Sequence, residues 1–242
     1  MKTNDLTQGN IYSQLIRLSL PLMGTALIQM SYNLMDMFWL GKLSTHSLAA
    51  SAAVGYISWL AMAFVLMIRT GTEIGVGQSV GAKKTKETQE FITTSLVISV
   101  FIGTIYALSA VALRTQLIGL FRFQEEIIRQ EAYKFLLIVV LGYPFFFLNP
   151  IIGGIYHGAG NSKTPFIVNS VGLMLNMVLD PLFIFTLDMG IQGAALATAL
   201  ANFSVSLIYF LIRKKVGLLA NINLIKDFCF DKVKRILSWG YP

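Results

Sequence analysis

Charge is what this sequence has least of. Of its 242 residues, 13% are Asp, Glu, Lys or Arg, about half the share of a typical soluble domain. With 55% apolar residues and a mean hydropathy of +0.66, that scarcity excludes an ordinary soluble enzyme and a disordered chain. Cysteine is almost missing. Cys229 stands alone, so no intrachain disulfide and no disulfide scaffold can form. Histidine is scarce too, and His46 and His157 are too far apart in sequence for a His-rich metal motif. The net charge of +7 would suggest nucleic acid in a soluble protein. Here the basic residues sit between apolar runs, where they set membrane orientation, and no nucleic-acid partner is expected.

What is present is a series of long apolar runs. They read as six helical spans: Leu15–Leu40, Leu48–Ile68 with a continuation toward Gly81, Phe91–Leu113, Phe135–Tyr156, Phe166–Leu187 and Ile191–Ile212. Their lengths suit a hydrocarbon core of ~30 Å at ~1.5 Å per residue. Backbone groups in lipid must be paired internally, and the alternating segments of a membrane barrel are missing, so helices follow. The first run exceeds the ~7–15 residues of a signal-peptide core and no small-residue cleavage site follows it, so it reads as a retained span. The fold class expected is all-α: a polytopic six-helix membrane bundle over residues 1–213. A basic linker at 214–235 and the start of a seventh helix at 236–242 complete the reading. The approach to Pro242, Ile236-Leu237-Ser238-Trp239-Gly240-Tyr241, resembles the approach to Pro21, as if a second copy of the architecture began there.

Thirteen of the 19 basic residues fall on one side: Lys2, Arg17, Lys83, Lys84, Lys86, Lys163, Arg213, Lys214, Lys215, Lys226, Lys232, Lys234 and Arg235. The positive-inside rule places that side, with the N-terminus and 214–235, in the cytoplasm. Pro21, Pro144, Pro150 and Pro181 fall within spans and predict kinks. Gly71, Gly75, Gly77 and Gly81, and the pair Gly154 and Gly158, predict close helix packing.

Ionisable residues at membrane depth are costly and point to function. Asp36 lies in the first span and Asp180 in the fifth. Gln29, Asn33 and Asp36 share one helical face, bordered by Tyr32; Asn169, Asn176 and Asp180 share another; Thr198 and Asn202 form a third stripe. Polar stripes facing lipid are unfavourable, so these should face each other or a wet cavity. Two carboxylates with amide and hydroxyl oxygens suit a hard cation, and a buried carboxyl pair also suits a proton. The same stripes could serve only as interhelical glue. An intramembrane aspartyl protease is excluded by Val178-Leu179 before Asp180, where Gly-x-Gly-Asp would be needed. Arg69 and Glu73, at i and i+4 in the second span, read as an ion pair at the membrane border or a gate. Met23, Met30, Met35, Met174 and Met177 share helices with the aspartates; they read as ordinary lipid-facing filler or as a flexible lining for varied hydrophobic cargo.

Several segments in this order resemble the N-terminal half of a multidrug and toxic compound extrusion (MATE) transporter. They are Asn33-Leu34-Met35-Asp36 with Gly41, Gly71-Thr72-Glu73 through Gly81-Ala82-Lys83, and Gly158-Ala159-Gly160-Asn161-Ser162-Lys163-Thr164-Pro165. Asn176 to Pro181 and Gly193-Ala194-Ala195 through Ala197-Thr198 complete the set. The resemblance implies one lobe of a twelve-helix, two-lobe fold with cargo between the lobes. It implies no enzyme activity and no cofactor beyond a coupling ion, Na⁺ or H⁺, at Asp36, Asn176, Asp180 and Thr198. Gln29, Tyr32, Asn33 and Asn202 would then line the cavity. Expected partners are amphiphilic or cationic small molecules, the lipid of the plasma membrane and a second six-helix lobe. A flippase of lipid-linked substrates and a non-transporting membrane scaffold are the alternatives. Cationic stripes in the cavity would favour the flippase.

Overall fold

A computed structural model describes residues 11–216, Leu219 and residues 227–241. The secondary structure of the described residues is helical. In chain order the helices are α1 (Ile11–Leu43), α2 (Thr45–Gly81), α3 (Thr85–Ala112), a short α4 (Arg114–Gly119), α5 (Glu126–Val139), α6 (Tyr143–Gly158), α7 (Lys163–Pro181), α8 (Gly190–Val216) and α9 (Phe230–Gly240). Residues Thr45–Gly81, Thr85–Ala112, Glu126–Gly158, Lys163–Thr186 and Gly190–Arg213 are long and apolar enough to cross a membrane. The first expected span is present as the 33-residue α1 but is not among these five.

The sequence marks several boundaries physically. Ser44 caps α2, its hydroxyl oxygen accepting the Ser47 N–H at 2.9 Å. The 37 residues of α2 make a rod of about 55 Å, longer than the hydrocarbon core, so the helix runs on past Ile68 without a break. The fourth span is not one helix. A 3₁₀ turn at Val140–Gly142 divides it, and Pro144 follows in the first turn of α6, where its missing N–H costs nothing. Pro181 ends α7, and a π-helical turn, Leu182–Thr186, follows it directly. Pro21 and Pro150 lie inside helices.

Long α2 is the hub and packs on α1, α3, α5, α6 and α9; α7 packs on α8 and α1. One core surrounds the C-terminal half of α2, with Val65, Ile68, Phe91, Phe147, Tyr156, Tyr209 and Ile236. A second surrounds its N-terminal half, with Val54, Ile57, Leu136, Tyr143 and Ile184. Tyr106 and Phe146 touch both cores. Three of the α2 glycines, Gly71, Gly75 and Gly77, allow close approach, each to a different neighbour. A Cβ at Gly71 would run into the Ile236 carbonyl oxygen of α9, and one at Gly77 would stand 3.4 Å from the Gly158 carbonyl of α6. Gly81 is different: a Cβ there meets nothing within 4 Å, because it ends the helix.

Helix α9 begins at Phe230, inside the stretch whose sequence reads as linker. It is amphipathic, and it lies on α2 and α3 with Ile236 fully buried. Its sequence mixes charge with apolar residues, which hides a helix from a search for apolar runs. Of the basic set, Lys2, Lys226 and the side chains of Arg17, Lys214 and Lys215 lie outside the described residues.

Candidate intramembrane binding site

The three polar stripes meet where α1, α7 and α8 pack together. On α7, Asn176 and Asp180 are one turn apart, 1% and 0% exposed. The Asn176 amide Nδ2 donates to Asp180 Oδ1 at 3.3 Å. That bond fixes the amide and leaves Asn176 Oδ1 and Asp180 Oδ2 buried without a hydrogen-bond partner among the described residues. From α1, Asp36 adds a third such oxygen, Oδ1. The carboxyls of Asp36 and Asp180 lie within electrostatic reach of each other and of Tyr32, whose hydroxyl faces the Thr198 side chain of α8.

Two cavities flank this belt. One, of about 670 Å³, is lined by Asp36, Met37, Tyr56, Trp59 and Tyr143. The other, of about 550 Å³, is lined by Asn176, Asn169, Met62, Asn149, Arg69 and His157. Gln29, Tyr32, Asn33, Thr198 and Asn202 line both, so they form the partition between them. Asp180 is fully buried and lines neither, held behind Asn176. Gln29 Nε2 donates to Asn33 Oδ1 at 3.4 Å along one face of α1.

A buried polar group usually finds a partner, and an orphaned one calls for an explanation. Three orphaned oxygens stand on two neighbouring helices, with the Thr198 hydroxyl on a third, and all four are oxygen donors. Such a set fits a hard monovalent cation better than a transition metal. Among the described residues, no group of three or more His, Cys, Asp and Glu could hold a metal ion. The belt has only two carboxylates, and its other donors are neutral.

Other expected residues sit elsewhere. Arg69 Nε stands 3.9 Å from Glu73, and Arg69 Nη2 also meets His157 Nδ1 at 3.3 Å. The sequence reading set His157 aside because it sought metal ligands; its place at the end of the fourth span was the available signal. Asn149 was missed as well. Its amide Nδ2 donates to the Asn202 carbonyl at 2.9 Å, and its Oδ1 accepts the Ser206 hydroxyl at 2.6 Å, which ties α6 to α8. A lone Asn before Pro150 has no polar neighbour at helical spacing and so formed no stripe. Met37 and Met62 line the cavities, and Met23, Met30 and Met174 are at least 60% exposed.

Known proteins share this architecture. The MatE family model matches residues 21–182. The chain is 27% identical over 237 residues to the probable multidrug resistance protein NorM of Thermotoga maritima, covering 96% of this chain and 51% of that protein. It is 31% identical over 203 residues to the probable multidrug resistance protein YpnP of Bacillus subtilis, covering 84% of this chain and 45% of that protein. The crystal structure of MATE in complex with MaD3S matches with a TM-score of 0.91 at 28% identity, over 99% of this chain and 54% of that one. The chain therefore spans about half the length of the curated relatives it matches. With its helical lobe, its converging polar stripes and a family match over most of its spans, this chain belongs to the MatE family.

Proposed function

We propose that this chain is the ion-coupling lobe of a plasma-membrane antiporter that exports amphiphilic compounds in exchange for Na⁺ or H⁺. One observation carries the reading: Asp36 Oδ1, Asn176 Oδ1 and Asp180 Oδ2 are each buried without a hydrogen-bond partner among the described residues. Interhelical glue would consume these oxygens in hydrogen bonds, which weighs against the scaffold reading. In the proposed cycle, Na⁺ takes the three oxygens and the Thr198 hydroxyl. A proton would instead occupy one carboxyl of the pair. Either ion sits at the partition between the two cavities, where its arrival changes the charge that cargo meets. The names of the relatives, multidrug resistance proteins, support drug-like cargo. A second six-helix lobe would complete the cargo path. The basic loops support a cytoplasmic N-terminus.

The test is ion binding by the chain itself in phosphatidylcholine nanodiscs. Wild type should bind ²²Na⁺ saturably, with competition from protons, or take up a proton without binding Na⁺. Asp36→Asn keeps an oxygen but loses charge and titration, so it should abolish both. An Asp36→Asn chain that binds Na⁺ and protons as wild type does would overturn the proposal.

A further inference from the structure

The 550 Å³ cavity has one cation among its lining residues, Arg69, with His157 beside it. Neither belongs to the ion belt. Arg69 lies 24 residues into α2, about 36 Å along the helix and so near the border of the hydrocarbon core. A guanidinium carries five N–H donors. The chain engages few of them: Nη2 meets His157 Nδ1 at 3.3 Å, and Nε stands 3.9 Å from Glu73, too far for a hydrogen bond. A guanidinium can only donate, so His157 Nδ1 accepts. In this pairing the ring is neutral and carries its proton on Nε2, a second donor. The Arg69 side chain keeps 30% of its surface exposed, so part of the fork is open. Behind it stands Tyr209, 1% exposed and within electrostatic reach of Arg69. The Tyr209 ring stacks on Tyr156 at 5.8 Å, and neither hydroxyl has a hydrogen-bond partner among the described residues.

A cation with spare donors at the end of a drug-sized cavity is half of an ion pair. Glu73, 42% exposed and 3.9 Å from Nε with no hydrogen bond, pairs with it only loosely and leaves the fork's other donors open. We infer that the Arg69–His157 end of this cavity binds the carboxylate, or a like oxyanion, of an amphiphilic cargo, with Arg69 as charge partner and His157 Nε2–H as second donor. This rests on the reading of the cavity as a cargo site and narrows the cargo to anionic or zwitterionic amphiphiles. The apolar body of such a molecule lies along Met62, Phe146 and Leu173, toward Asn169 and Asn176.

The probes are 11-(dansylamino)undecanoic acid and its neutral amide. Each is titrated by dansyl fluorescence against the purified chain in phosphatidylcholine nanodiscs, with choline as the only added cation. Without Na⁺ the result is independent of the ion-binding test above. Wild type should prefer the acid over the amide about tenfold, the worth of a charge-assisted pair. Arg69→Gln should erase that preference and Arg69→Lys should keep part of it. Glu73→Gln, which removes the competing carboxylate, should widen it. Equal binding of acid and amide by wild type, loss of both in equal measure in Arg69→Gln, or a narrower preference in Glu73→Gln would each overturn the inference. Nanodiscs containing phosphatidylglycerol separate the two sources of oxyanion. An unchanged preference supports cargo, and a preference abolished by that lipid would assign the donors to a headgroup and overturn the inference for cargo.

Discussion

Lys232 of α9 and Asp180 of α7 are both ionisable and both shut away, 7% and 0% exposed. Around Lys232 the chain supplies what the charge needs. Its Nζ donates to Glu87 Oε1 at 2.6 Å, lies 3.8 Å from Glu90, and sits 4.4 Å over the Phe91 ring. Arg235 and Lys84 add contacts to Glu87 at 3.4 and 3.3 Å. Thr94 Oγ1 accepts the Cys229 N–H at 3.1 Å, and Trp239 stacks on Phe91 at 5.8 Å. Around Asp180 the described residues supply one bond, from Asn176, and leave Asp180 Oδ2, Asn176 Oδ1 and Asp36 Oδ1 without a partner. Burying a polar group is costly in both places. The α9 dock closes that cost internally and holds the fold together. The belt leaves it open, which destabilises the empty lobe and keeps free energy available for a ligand.

The largest effect expected on this comparison comes from breaking the dock sterically. Gly71→Val puts a branched side chain where the Ile236 carbonyl oxygen sits, and α9 cannot shift without losing Phe91 and Lys232. Overpacking of this kind costs about 3 kcal/mol. Cys229, half-buried at the start of α9, should react with maleimide at least ~10-fold faster once the helix lifts. Gly81→Val, on the same helix with open space, is the control and should leave Cys229 as in wild type. Equal labelling in the two variants would mean that the dock does not depend on this contact.

A pair of substitutions then tests whether the two regions differ in sign. Lys232→Met keeps much of the volume and the Phe91 contact but leaves Glu90 without its cation, so the melting temperature should fall by about 3 °C. Asp36→Leu removes an orphaned oxygen, so the melting temperature without Na⁺ should rise by about 3 °C while stabilisation by Na⁺ disappears. Melting shifts of the same sign would end the distinction between a closed network and an open one.

The comparison also explains what could be read from sequence. Asp36 and Asp180 stand out because each interrupts an apolar run, and helical spacing then brings in Asn33, Asn176 and Thr198. Span number follows from run length alone. Lys232 gives no such signal. It sits among Asp231, Lys234 and Arg235 and looks like a solvated positive-inside residue; only the tertiary dock on α3 buries it. The split of the fourth span was signalled by Gly142 and Pro144, but the path of the chain through a turn depends on packing against α8. The division of the site into two cavities, with Asp180 behind rather than within them, depends on rotations of α1, α7 and α8 that periodicity leaves free.

The smallest effect separates the two ions the open belt could take. Thr198 contributes a neutral hydroxyl, and its backbone carbonyl separately accepts the Asn202 amide at 3.0 Å. Thr198→Val matches the side-chain shape and keeps that backbone bond, so the helix and the partition between the cavities should stand. What it removes is one oxygen ligand and the contact with the Tyr32 hydroxyl. A Na⁺ ion needs several oxygens at once, and losing one neutral ligand of about four should weaken binding up to about tenfold. A proton needs only a carboxyl and its neighbour, both of which remain, so proton uptake by the Asp36–Asp180 pair should shift little. Titrating Thr198→Val with ²²Na⁺, and separately measuring proton uptake with a pH dye, reads the two cases side by side. Weaker Na⁺ binding with intact proton uptake marks a Na⁺ site that borrows its ligands from three helices. Unchanged Na⁺ binding would remove Thr198 from the belt and leave two carboxylates and an amide as the whole of it.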